Sequence, residues 1–418
     1  MKIMSFFKRQ NSVVLTTIFG LIVIGILICL PTGYEDALIY QGTERAVGKV
    51  VGTDNSAIIT SGLIQSGEQL CTLEIGNGIF AGQTLEGVNF LSGSLEKDKI
   101  FKTGDRALLT ISYKGQEIKS VILSDHYRLD KEFILLAVFA VFLVVFAGKI
   151  GFQAILSFFI TILMIWKVLV PCYLKGCSPV WTGIAITAVL TAIIIFFVYG
   201  PDKRTLSAVL GALLGVATTC ILGILFTDLF KIHGAVMTSS ESLLYSGYQD
   251  LDLTSIFMAS IFIGASGAMM DLAVDITSAV YEVISKKPDI LPAEAVLSGL
   301  RVGRAAMGTM TTTLLLAYSG GYIALLMTFM AQGTPIENIL NYKYVSAEIL
   351  DTIVGSFGLV TVAPFTALTS AVLLTGKKYK DQVARELEVE VSVQKTEQNI
   401  SDAEPCEAEF EVSEVVSE

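Results

Sequence analysis

The chain has 418 residues, 53% of them hydrophobic and 16% charged, and a mean hydropathy of +0.65. Such values exclude a string of soluble domains and describe an integral membrane protein whose first partner is the lipid bilayer. Nucleic-acid binding has no basic patch to support it.

A helix needs about 20 apolar residues to cross the ~30 Å hydrocarbon core, and eight such runs follow one another: 13–30, 133–147, 153–171, 179–199, 205–228, 254–281, 305–330 and 350–376. The second is short and recruits residues from its flanks. Lys2, Lys8, Arg9, Lys149, Lys203, Arg204, Lys286, Lys287, Arg301, Arg304, Lys377, Lys378 and Lys380 fall on one side of the resulting topology. Short loops on the other side hold only Lys175, Lys231 and Lys343, with Lys167 near a helix end. Because Lys and Arg in short loops stay cytoplasmic, both termini are expected in the cytoplasm, in a multi-pass protein of the bacterial cytoplasmic (plasma) membrane. The first run is longer than a usual signal core and no small-x-small site precedes Pro31, so 1–30 reads as a basic start and an uncleaved anchor.

Residues 31–131 follow a different pattern. "RAVGKVVG", "GEQLCTLEIGNG", "DRALLTISYKG" and "QEIKSVILS" alternate apolar and polar residues between glycine-containing turns. They predict a small extracytoplasmic β barrel or sandwich of the OB or SH3-like kind, without a catalytic constellation. His126, among Asp125, Arg128 and Asp130, reads as a solvated surface residue rather than a metal ligand. The fold class is therefore an α-helical polytopic membrane protein of about eight transmembrane helices, with an all-β domain between the first two and a seven-helix membrane domain over 132–380. Residues 381–418 carry twelve acidic residues against Arg385 and Lys395, so this expected disordered tail holds the whole net charge of −10 and the rest of the chain is formally neutral. Of the cysteines, only Cys172 and Cys177 are close in sequence; a disulfide across that gap and two separate thiols both remain open.

Candidate functional residues are polar groups inside the spans. In "GAMMDLAVDITSA", Asp271 and Asp275 lie one helical turn apart within an apolar run, and a central Asp costs about 2.5–3.5 kcal/mol on insertion scales. Gly264, Gly267, Ala268, Asp271, Asp275 and Ser278 share one face, small at one end and acidic toward the other. The next span, "GLRVGRAAMGTMTTTLLLAYSGGY", presents Arg304, Gly308 and the threonines around Thr309 and Thr312 at a similar depth. The spacing makes Asp271, Asp275, Arg304, Thr309 and Thr312 a candidate intramembrane polar site, with Gly264, Gly267, Gly303 and Gly308 as close-packing positions. Two readings stay open: the carboxylates handle protons or a cation, or Arg304 and threonine hydroxyls pair with them to fix helix register. The last span adds Asp351, Thr352, Gly355, Ser356, Thr361, Pro364 and Thr366. No Walker loop, zinc motif or two-helix aspartate arrangement is present, so no enzymatic activity, cofactor or metal is expected.

"GASGAMMDLAVDITSA" and "GRAAMGTMTTTLLLAYSGG" resemble the signature of the YibE/F family of bacterial multispanning membrane proteins. The preceding anchor and soluble domain resemble its longer, YibE-like members. The motif carries over onto Gly267, Asp271, Asp275, Gly303, Arg304, Gly308, Thr309 and Thr312. The resemblance implies a permease-like protein of unknown substrate, and a heteromeric complex with a shorter YibF-like relative. The expectation from a different class is a non-transporting scaffold or sensor whose β domain binds an envelope partner.

Overall fold

The computed structural model describes residues 2–34, 42–115 and 117–376, residues 2–14 by their backbone only. The acidic stretch 381–418, with Cys406, and the basic residues at 377–380 lie outside the described residues. The chain divides into two units, Pro31–Phe152 on one hand and Met1–Leu30 with the chain from Gln153 on the other.

In the first unit the alternating segments become six strands: β1 (Thr43–Asp54), β2 (Ile58–Ser61), β3 (Ile64–Ile75), β4 (Thr84–Ser92), β5 (Arg106–Lys114) and β6 (Glu117–His126). Their order is β1-β5-β6-β4-β3-β2, and a β1–β3 pairing closes the sheet into a barrel. The β4–β6 contact is parallel and the others antiparallel. This Greek-key closure is of the OB kind, with β2 as a short arm on β3. Alternate residues point inward, so Leu73, Ile75, Leu109, Ile111 and Leu123 fill the barrel with Phe101 from a loop. Two buried amides tie that loop down: Gln69 Nε2 donates to the Phe101 carbonyl (2.8 Å) and Asn89 Nδ2 to the Lys99 carbonyl (2.6 Å). Cys71 points into the same core, and burial pushes its thiol up to about 11. His126 Nδ1 lies 4.0 Å from Asp105 Oδ2, a loose pair.

The helices are α1 (Lys2–Cys29), α2 (Leu129–Met164), α3 (Val170–Leu174), α4 (Pro179–Tyr199), α5 (Lys203–Leu229), α6 (Ser240–Tyr245), α7 (Leu253–Lys286), α8 (Pro292–Ser319), α9 (Ile323–Ala331), α10 (Ile336–Asn341) and α11 (Lys343–Leu374). Among the described residues six helical stretches are long and apolar enough to cross a membrane, with Leu15–Cys29 a shorter apolar helix. The expected runs 179–199, 205–228, 254–281, 305–330 and 350–376 each fall within or largely overlap one of them. The runs 133–147 and 153–171 share the 46-residue stretch Leu129–Leu174, interrupted at Gly148 by a non-helical backbone (φ 56, ψ −125). None of that stretch's apolar window is buried. With no helix packed over its first half, the barrel's unit runs on to Phe152, past the boundary expected at 131.

In the second unit α7 and α11 form the centre, each with half of its apolar window buried, against 6% for Pro292–Ala331. Small residues let the backbones approach: a side chain on Gly211, Gly215 or Gly358 would overlap Thr366, Val362 and Thr219 across the α5–α11 seam. Hydroxyls also bridge to α11, Ser207 Oγ of α5 to Ser370 Oγ (2.7 Å) and Thr277 Oγ1 of α7 to Ser370 Oγ (3.1 Å). Gly299 and Gly303 seat α8: a Cβ on Gly303 would stand 2.9 Å from Ala363 and 3.0 Å from Ile276.

Candidate functional site

The α7 helix begins with Asp252, whose carboxylate accepts from Ser255 Oγ (2.5 Å) and Ser255 N (3.0 Å). The Ser255 hydroxyl, then its N–H, hold Asp252 below the usual carboxylate range. Beyond this cap the helix has two faces. Ala265, Met269, Leu272, Ala273, Ile276 and Val280 are buried in the bundle. Gly264, Gly267, Asp271, Asp275 and Ser278 lie on the opposite face and are exposed within this chain. The expected stripe therefore exists, and its two carboxylates are near enough to feel each other's charge.

Arg304 is exposed on α8, one residue past Gly303, which packs on Ile276, so it stands level with Asp275 along the bundle. Among the described residues, however, no ion pair joins Arg304 to either aspartate. The threonines turn back on their own helix: Thr309 Oγ1 donates to Ala306 O (3.0 Å), Thr311 to Met307 O (2.9 Å) and Thr313 to Thr309 O (3.0 Å). Thr312 Oγ1 reaches Gly308 O at 3.5 Å. This back-bonding satisfies the hydroxyls locally and aims none of them at Asp271 or Asp275. Of the glycines, Gly303 is in tight packing and Gly264 borders Tyr318, whose hydroxyl would be 2.9 Å from a Cβ there. A Cβ on Gly267 or Gly308 would meet nothing within 4 Å, because both lie on the open faces of their helices.

Residues that sequence reasoning passed over lie at both ends of the aspartate face. At one end Tyr199, the last residue of α4, donates from its hydroxyl to Val274 O (2.6 Å) and shares a hydrogen bond with Ser278 Oγ (2.7 Å). The Arg204 guanidinium lies over the rings of Tyr199 (5.1 Å) and Tyr281 (4.3 Å) and pairs with Asp202 (2.5 Å). The arginine that reaches α7 is thus Arg204, from the first turn of α5. The sequence signal was the aromatic-basic string "YGPDKR" at a helix boundary, which reads first as a topology marker.

At the other end Tyr318 and Tyr322 sit in the field of Glu348 and of Asp351, the one of these four that the sequence singles out. The Tyr318 hydroxyl, Glu348 Oε1 and Asp351 Oδ1 are buried oxygens without a hydrogen-bond partner among the described residues. Each such atom costs roughly 1–3 kcal/mol if nothing satisfies it. Gly264, beside Tyr318, precedes Asp271 by seven residues, about 10 Å of helix. One face of α7 therefore links a buried Tyr–Glu–Asp group to the exposed aspartate pair. Among the described residues no group of three or more His, Cys, Asp or Glu could hold a metal ion.

Residues 135–376 match a family model described as YibE/F-like protein. No curated protein and no solved structure matches the chain.

Proposed function

The chain belongs to the YibE/F-like family, and from that premise we propose that it is a permease-like membrane transporter in which Asp271 and Asp275 handle protons or a cation. The observation that carries this reading is the polar line along one face of α7, from Tyr318, Glu348 and Asp351 past Gly264 and Gly267 to Asp271, Asp275 and Tyr199. Intramembrane carboxylates without an internal counter-charge ordinarily face a water-filled path or a partner. The buried unpaired oxygens call for an exchangeable partner of the same kind. The proposed chemistry is binding and release without bond-making in a substrate.

Eight crossings fit the helices if Leu15–Cys29 crosses once and Leu129–Leu174 crosses twice. At 1.5 Å per residue the latter is about 69 Å long, more than two hydrocarbon thicknesses, and Gly148 supplies the break between its halves. In this topology, in the bacterial plasma membrane, both termini are cytoplasmic and the barrel is extracytoplasmic. A shorter YibF-like relative covers the open α7–α8 face, where Gly267 and Gly308 leave room for a neighbouring helix.

The test is flux in proteoliposomes made with the chain and that relative. Asp271→Asn and Asp275→Asn should keep expression and assembly while flux drops to the level of empty vesicles. Full flux in both variants would remove the carboxylates from the mechanism.

A scaffold or sensor role has one observation of its own. Leu70 is paired with Val88 and Val88 with Ile122, and Phe90 follows two residues on, so the outer wall of the barrel carries an apolar patch over β3, β4 and β6. Leu70, Phe90 and Ile122 are 42%, 54% and 36% exposed. Polar substitutions there should leave flux intact and abolish recruitment of an envelope partner if that role exists.

A further inference from the structure

The α3 helix ends in a Schellman turn. Cys177 N donates to Cys172 O and Gly176 N to Tyr173 O, both at 3.0 Å, and Gly176 has φ +80. Only a glycine takes that conformation cheaply, which is why the helix stops there. This motif places the side chains of its first and last bonded residues in contact, usually as an apolar pair. Here both are cysteines, and both are free thiols in this structure. The 3.0 Å backbone bond limits their Cα separation to about 7 Å, the outer reach of a disulfide.

We propose that Cys172 and Cys177 form an intrachain disulfide that staples this turn. Cys177 is exposed and Cys172 half-buried, so the Cys177 thiolate attacks first. It displaces one sulfur of a disulfide-bearing oxidant and forms a mixed disulfide. The Cys172 thiolate then attacks Cys177 sulfur, closing the protein disulfide and releasing the oxidant as its dithiol. Two protein thiols lose two protons and two electrons, and the oxidant's disulfide takes them up. The inference rests on the orientation proposed above, which puts the turn on the oxidising side of the membrane.

The staple fixes Tyr173 between its two ends. That hydroxyl donates to Pro179 O (3.1 Å), at the start of α4, and would be 3.1 Å from a Cβ on Gly183. The same Cβ would be 3.0 Å from Phe262 of α7, so the turn is registered against the helix that carries the aspartates.

Lys175 lies between the two cysteines, so tryptic cleavage separates them. Membranes from growing cells are quenched in acid, alkylated without reductant, digested and analysed by mass spectrometry on the unsubstituted full-length chain. The expected result is a linked pair of peptides, lighter by two hydrogens than the two thiol peptides. Recovery of both cysteines alkylated, or of either joined to another partner, overturns the proposal. Orientation is read separately, by labelling Cys172→Ser in intact cells with a membrane-impermeant maleimide at the exposed Cys177. Labelling only after permeabilisation overturns the orientation, while the peptide link still decides the disulfide.

Discussion

Tyr199 and the two arginines near the aspartates make the residue scale testable. Tyr199→Phe removes the hydrogen bonds to Val274 O and Ser278 Oγ, each with a net contribution of about 0.5–1.5 kcal/mol. Thermal unfolding in detergent should show a lower midpoint for this variant. Arg204→Ala loses two ring contacts and the Asp202 pair and should also lower it. Arg304→Ala should change the stability of the isolated chain by no more than ~0.5 kcal/mol, the usual range for an exposed side chain away from structural features, and so barely move its midpoint. Equal losses from both arginines would show that Arg304 is held within the chain after all. Asp271 and Asp275 were legible in sequence because a charge in an apolar run is costly, and helical periodicity correctly put them on one face with Gly264, Gly267 and Ser278. Periodicity says nothing of what stands across from that face. Arg304, matched to Asp275 in depth, turns out not to pair with it, and Tyr199 reaches the face from more than seventy residues away.

Between helices, the two glycines of α8 separate internal packing from assembly. Gly303→Leu places a branched side chain where Ala363 and Ile276 already stand, and overpacking of this kind typically costs 1–3 kcal/mol. It should lower the unfolding midpoint and shift the purified chain toward aggregates in size-exclusion chromatography. A Cβ at Gly308 meets nothing within 4 Å, so Gly308→Leu should leave the isolated chain unaffected; loss of complex formation with the shorter relative would then report a shared interface. A Gly308→Leu variant that unfolds as readily as Gly303→Leu would contradict this division. The long apolar helices were readable because hydropathy integrates over 20 residues and tolerates local error. So was the interruption between the runs 133–147 and 153–171, though not that Gly148 makes it with a φ of 56. Strand alternation was equally plain, but two OB-type closures, β1 on β3 and β4 parallel to β6, are long-range pairings that alternation does not encode.

At the scale of the whole molecule the two units should answer acid differently. Asp98 accepts from Ser92 N and Oγ, Gly93 N and Ser94 N, and the Ser92 N–H first among these holds its carboxyl below the usual range. The Ser56 N–H does the same for Asp54. A folded-state pKa below the unfolded value, about 3.9 for Asp, stabilises the fold above that value and is lost as pH falls through the folded one. Strand signal followed by circular dichroism on the full chain should therefore melt at lower temperature below about pH 4, with little change from these groups above pH 5. Asp98→Asn should lower the midpoint at neutral pH and flatten its acid dependence. An unchanged acid profile would mean that the cradle around Asp98 survives protonation.

Gly148 matters in time as well as in space. A ribosome adds roughly 5–20 residues each second, so the second apolar half of Leu129–Leu174 follows the first within seconds, separated by little more than the glycine and Lys149. In the topology proposed above, in which the halves cross separately, the insertion machinery meets them almost together and can take them in as one hairpin. Were the break removed, a single long helix would enter, and every later crossing would be threaded in the opposite sense. In that topology the positive-φ break at one residue decides the direction in which the rest of the chain is laid into the bilayer during synthesis.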